Sequence, residues 1–210
     1  MPGVAKLIER GAEIGLFVAD PPTTSLQRIK ALTTDVFTRS HPFDSFDIND
    51  LDSVDDAVRE LLREELRSPQ ASDFIIAHVL GVDHCGHKYG PNHIRMATTL
   101  RKIDNIIVET ANALSSGDLL VVLGDHGMTT TGDHGGDSDD ETHAGLMIFS
   151  PHRQFPPFPD GLHQIDIVPT LSLLLGLPIP FSNLGVVIES LFPTNLTKQA
   201  IALNYEQVRR

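Results

Sequence analysis

The 210-residue sequence has a single cysteine, Cys85, so no disulfide can form within the chain and cysteine usage reports no redox compartment. Basic residues are scarce: 16 lysines and arginines against 28 aspartates and glutamates give a formal charge of -12. With no basic run to neutralise a phosphate backbone, the composition argues against nucleic acid as a partner. Long apolar runs are missing as well. Met1 to Arg10 holds no stretch long enough for a signal-peptide core. The best membrane candidate, Leu171 to Phe192, is interrupted by Pro178, Pro180, Ser182 and Asn183, whereas a spanning helix needs ~20 mostly apolar residues. Any membrane anchor of the parent protein is therefore expected outside these residues. No internal repeat is present. What remains, 40% apolar and 21% charged, is the composition of an ordinary globular protein, and the length suits one α/β domain.

Three short apolar runs are predicted as buried strands: Phe74 to Leu80, Leu119 to Leu123 and Leu146 to Phe149. Between the first two, Ile94, Ala97, Leu100, Ile103, Ile107, Ala111 and Leu114 recur at three and four, which predicts one face of a helix from about 94 to 114. A second amphipathic helix is predicted from about Val54 to Leu66, capped by Asp52 or Ser53. A third begins near Pro169 and stops at Gly176. Strand, helix, strand in this order predicts an α/β fold with a mostly parallel sheet flanked by helices. Residues 150–163 and 178–185, rich in Pro and Gly, read as surface loops.

Seven of the ten histidines fall between residues 78 and 143. Gly81-Val82-Asp83-His84-Cys85-Gly86-His87 follows the first predicted strand and Gly124-Asp125-His126-Gly127-Met128 the second. Gly132-Asp133-His134-Gly135-Gly136-Asp137-Ser138 closes the same region. Ligands of open α/β sheets gather at the carboxyl ends of strands, so these residues are expected in one crevice. Imidazole nitrogen and carboxylate oxygen are the donors of hydrolytic zinc sites, and the glycines let the backbone turn sharply beside them. A single Asp-His pair is usually no more than a surface hydrogen bond; three Gly-flanked groups, two of them at strand ends, favour ligation. His84 is expected to point away if Asp83 and His87 converge, and His78 and His93 are weaker candidates. His143 and His152 read as structural, and Cys85 as a small packed residue. The run Asp137, Asp139, Asp140, Glu141 lacks EF-hand spacing and reads as a solvated loop.

The three motifs resemble those of the alkaline phosphatase superfamily, whose phosphodiesterase and phosphotransferase members carry an Asp-x-x-x-His, an Asp-His-Gly and a later Gly-x-His-Gly. Residues 78–138, Asp20-Pro21-Pro22-Thr23-Thr24 and the stretch from Gln164 to Pro178 are most similar to the type 3 family of GPI ethanolamine phosphate transferases. The resemblance implies an alkaline-phosphatase-like domain that transfers ethanolamine phosphate from phosphatidylethanolamine to a mannose of the GPI anchor precursor. It places this domain in the endoplasmic reticulum lumen, on a membrane protein with a membrane-embedded partner subunit. It implies two zinc ions, Asp83, His87 and His134 holding one, Asp125 and His126 the other together with a Ser or Thr nucleophile. Counting from the prolines puts the nucleophile at Ser25, where the family tends to show threonine; Thr24 is the second choice and Thr23 stays open. With water as acceptor the same site is a metal-dependent phosphodiesterase or phosphatase, and without turnover it is an interaction domain. The sequon Asn195-Leu196-Thr197 adds weak support for a luminal address.

The sequence departs from the family in two places. The metal-binding aspartate that the family places well before its nucleophile has no counterpart, since Asp20 is the sole aspartate before Ser25. The family also carries a long stretch between Ala31-Leu32-Thr33-Thr34 and Phe43-Asp44-Ser45-Phe46, which here are joined by eight residues, Asp35 to Pro42. A single partial domain over 1–210, incomplete at its N-terminal side and shortened at 35–42, is therefore expected. The Asp125 and His126 site should bind zinc weakly, with little or no turnover by this chain. Losing a core strand also exposes apolar surface.

Overall fold

A computed structural model describes residues 1–24, 40–44, 47–68 and 71–209. Ser25, the segment 31–34 and most of the 35–42 junction lie outside the described residues. In chain order the helices and strands are α1 (Pro2–Glu9), β1 (Glu13–Val18), α2 (Ser53–Arg67), α3 (Gly81–Tyr89), α4 (Ile94–Ala113), β2 (Leu120–Leu123), α5 (Asp139–Thr142), β3 (His143–Phe149), α6 (Ile167–Leu174) and α7 (Thr194–Val208). Short 3-10 turns at Gln164–Asp166 and Glu189–Leu191 complete the order.

The sheet has the order β1-β3-β2. Side chains alternate across a strand, and β3 is apolar on both faces, which suits a central position. Ala144, Leu146 and Ile148 join Phe17, Phe155, Leu162, Ile167, Ile188 and Leu191 on one side. Met147 and Phe149 meet Leu7, Ala12, Ile107 and Ala111, from α1 and α4 and beside them, on the other. Strand β2 splits in the same way, Val121 and Leu123 to the first cluster and Leu120 and Val122 to the second. The sheet is thus sandwiched between helical layers, and the α/β class holds.

Strand direction does not follow the expectation. Glu13 pairs with Ile148 and Val18 with His143, while Leu120 pairs with Phe149 and Leu123 with Leu146, so both ladders are antiparallel. The chain leaves β2, loops through 124–142 and returns in the opposite sense between β1 and β2. Nor is the predicted strand Phe74 to Leu80 a strand: it runs without a ladder, with Phe74 and Ile76 exposed. Its last residue, Leu80, is instead the N-cap of α3, with its amide donating to Asp55.

Helices α2, α4 and α6 lie where periodicity put them, and α6 ends before Gly176 at φ 71°. The predicted face of α4 is buried from Ile103 onward, but Ile94 is exposed, because the first turns of α4 run beyond the sheet and pack against α3. Two buried aspartates cap helices from a distance. Asp104 on α4 accepts from the amides of Gly3 and Val4, each at 2.7 Å, and fixes the start of α1. Asp55 on α2 does the same for α3, accepting from Leu80 N at 2.7 Å and Gly81 N at 3.2 Å. Among the described residues no helix is long and apolar enough to cross a membrane.

Candidate functional site

Helix α3 forms where the sequence predicts only sharp turns after a strand, although Gly81 and Gly86 both disfavour a helix. It forms because Asp55 satisfies its first amides, and its period places Asp83 and His87, four residues apart, on one face. Gly86 lets a second segment approach. A Cβ at this position would overlap the sulfur of Met128, and one at Gly132 would overlap the Gly86 carbonyl, so the 124–136 loop lies directly on α3. Gly132 also has φ 90°, where L side chains are strained. The loop carries His134 to the exposed face of α3.

Asp83, His87 and His134 thereby converge, each offering one donor atom within 4.8 Å of the others. His134 Nε2 lies 3.3 Å from Asp83 Oδ1 and 3.0 Å from His87 Nε2, while His87 Nε2 lies 3.5 Å from Asp83 Oδ2. Asp83 Oδ1 is buried without a hydrogen-bond donor. A buried carboxylate oxygen facing two imidazole nitrogens is an arrangement that a cation completes, so the donor set fits a zinc-type ion with an open position.

Asp125 and His126 sit next to this group. The His126 ring stacks on His134 at 3.9 Å between centroids, and its Nδ1 faces the Gly127 carbonyl at 2.8 Å. Nε2 of His126 lies 3.5 Å from Asp125 Oδ2, an oxygen that is also buried without a donor. Gln164, 1% exposed, holds this segment by donating to the Asp125 carbonyl at 2.8 Å. Among the described residues no third His, Cys, Asp or Glu closes on this pair as His134 closes on α3.

Of the nucleophile candidates, Ser25 lies outside the described residues. Thr24 lies beside the site, with its Cγ2 within van der Waals reach of Gly135. Thr23 is fully buried, donating to Gly136 O and accepting from Gly135 N, both at 2.9 Å. A hydroxyl so committed is not available to attack a substrate. His84 points away as expected, buried with Nδ1 2.8 Å from the Asp50 carbonyl. His93 caps α4 by accepting from Arg95 N, Cys85 is buried, and His143 Nδ1 meets the Asp139 carbonyl. The acidic run 137–141 builds the capping box of α5, where the Ser138 hydroxyl and the Gly136 amide hold the Glu141 carboxyl below its usual range.

Sequence reasoning missed Asp55, Gln164 and the role of Thr23. All three act through backbone groups far away in the chain, which no local pattern reports.

Residues 13–145 match the family model of type I phosphodiesterase / nucleotide pyrophosphatase. The chain is 39% identical to GPI ethanolamine phosphate transferase 3, catalytic subunit, of Homo sapiens, over 91% of this chain and 23% of the relative. It is 35% identical to GPI ethanolamine phosphate transferase 3 of Saccharomyces cerevisiae, over 83% of this chain and 23% of the relative. It is 38% identical to GPI ethanolamine phosphate transferase 2 of Debaryomyces hansenii, over 81% of this chain and 21% of the relative. The chain thus spans about a quarter of the length of the curated relatives it matches. The human alignment runs over 252 residues, more than this chain contains, so that relative carries residues inside the matched region that are absent here.

Proposed function

Because the chain belongs to the type I phosphodiesterase / nucleotide pyrophosphatase family, we propose that it is part of the catalytic domain of a GPI ethanolamine phosphate transferase. In this reading it moves ethanolamine phosphate from phosphatidylethanolamine to a mannose of the GPI anchor precursor. The observation that carries the reading is the convergence of Asp83, His87 and His134, from two segments, in a chain 35–40% identical to transferases of that name. These three residues would hold one zinc; Asp125 and His126, with the nucleophile, would hold a second more weakly. Bound zinc supplies a Lewis acid that polarises a phosphoryl oxygen and lowers the pKa of a nearby hydroxyl.

The rest falls to the chain's own side chains. Ser25, or Thr24 in its place, attacks the lipid phosphorus; the bond to diacylglycerol breaks, its oxygen leaves with the proton that the hydroxyl gives up, and ethanolamine phosphate stays esterified to the enzyme. A mannose hydroxyl then takes the group and restores the free side chain. The short 35–42 junction limits this chain to little or no repeated turnover, so its chemistry is read in a single cycle. The luminal address is supported by Asn195, exposed in the first turn of α7 within its sequon. The human relative is named a catalytic subunit, a name that supports a further subunit here; that it is membrane-embedded rests on the resemblance alone.

The test is single-turnover labelling. The purified chain, loaded with zinc and mixed with phosphatidylethanolamine vesicles, is digested and its peptides are weighed. An ethanolamine phosphate ester on Ser25 or Thr24, removed by a soluble mannoside but slowly by water, is the expected result. An ester removed by water alone would favour a phosphodiesterase. No ester, with zinc bound, would leave an interaction domain.

A further inference from the structure

Thr23 precedes both hydroxyl residues assigned to attack, yet its contacts all run to another part of the chain. Its hydroxyl bridges Gly135 N and Gly136 O, and its carbonyl faces Nδ1 of His134 at 2.7 Å. Three bonds from one buried residue therefore grip three consecutive residues more than a hundred positions away. A carbonyl can only accept, so His134 donates from Nδ1, and its neutral form with that proton presents the Nε2 lone pair towards Asp83 and His87. The hydroxyl clamp keeps the 134–136 loop in register with that carbonyl.

We propose that Thr23 is a positioning residue that sets the tautomer and direction of His134. It thereby couples the segment carrying the attacking hydroxyl to the cation-binding group. The inference rests on the metal-site reading above, but its geometry is independent of any turnover. Thr23→Val keeps the shape of the side chain and removes both hydroxyl bonds; Thr23→Ser keeps the hydroxyl.

Two readouts on the full chain test it. Nitrogen-detected imidazole spectra of the metal-free protein, taken at roughly pH 8 where ordinary histidines are neutral, should show His134 protonated on Nδ1. Thr23→Val should populate the other tautomer, and Thr23→Ser should not. Zinc affinity, read by competition with a chromophoric chelator, should fall about 10–100-fold in Thr23→Val and stay within about threefold of wild type in Thr23→Ser. Unchanged tautomer and affinity in a folded Thr23→Val, with only a lower melting temperature, would reduce Thr23 to a packing role and overturn the proposal. A wild-type His134 protonated on Nε2 would overturn it without any variant. If the wild-type chain binds no zinc, the metal reading fails while the tautomer result still decides the role of Thr23.

Discussion

The group of Asp83, His87 and His134 and the pair of Asp125 and His126 lie ring against ring, yet they are built in different ways. The first draws two donors from a helix and a third from a loop laid across it, each segment anchored separately: α3 by Asp55, the loop by Thr23. The second has two neighbours in sequence on one stretch of backbone, where Gln164 donates to the Asp125 carbonyl. Each group keeps one buried carboxylate oxygen without a donor, Asp83 Oδ1 in the first and Asp125 Oδ2 in the second. Two adjacent residues rarely close a coordination sphere, because their side chains diverge from one stretch of backbone. Closure needs donors from separately anchored elements, and among the described residues only the first group has them.

The comparison breaks if both groups respond alike to loss of a ligand. His87→Ala should abolish zinc binding at the first group, with affinity down by more than about a hundredfold, since even supporting residues are worth ~10–100-fold. Asp125→Ala should leave that tight binding in place and remove only a weaker second equivalent. Elemental analysis after gel filtration, followed by chelator titration, checks both. Two tight equivalents in the wild-type chain would mean that a further residue completes the second site.

The anchors give the next largest effect. Asp55→Ala strands the amides of Leu80 and Gly81 in a buried setting, at a cost of about 2–4 kcal/mol in urea unfolding. It should weaken zinc binding as α3 frays. Gln164→Met removes a single neutral bond and should cost about 1 kcal/mol, with no change at the first group. Equal losses from the two substitutions would argue that the groups are equally supported.

How much of this was legible depended on how local each signal was. Asp83 with His87, and His134, were readable because the chemistry sits in short Gly-flanked motifs. The helix carrying the first two was not, because its two glycines argue against it and the residue that caps it lies 25 positions or more upstream. The long period of α4 and the proline-to-glycine frame of α6, which starts two residues before Pro169, survive without context. Strand β1 was missed because Gly15 interrupts a short run, and that glycine is needed where Phe158 packs on the strand. Strand direction was misread because it depends on the path of the 124–142 loop, which periodicity does not encode. Thr23 looked like one of three equivalent hydroxyls until burial separated it from Thr24.

The smallest expected effect concerns the platform beneath the first group, and its sign differs between two carboxylates. Glu109 on α4 pairs with Arg59 and Arg63 of α2, and its hydrogen bond with Arg59 holds its carboxyl below the ordinary 4.5. A lowered folded pKa means stability complete above pH 4.5 and lost as pH falls through the folded value. The wild-type advantage over Glu109→Gln, no more than about 1 kcal/mol for a pair this accessible, should therefore shrink in acid. Asp55, on α2 with the two arginines, is raised above 3.8 because burial outweighs its amide donors. Between 3.8 and the folded value, the folded state holds a proton that the unfolded chain has released. Stability from this residue is lost as pH rises above 3.8 through the folded value, so the wild-type advantage over Asp55→Asn should grow on acidification. Urea melts of the three proteins across acid and neutral pH should give difference curves of opposite slope. Parallel curves would show that burial does not outweigh the amide donors at Asp55.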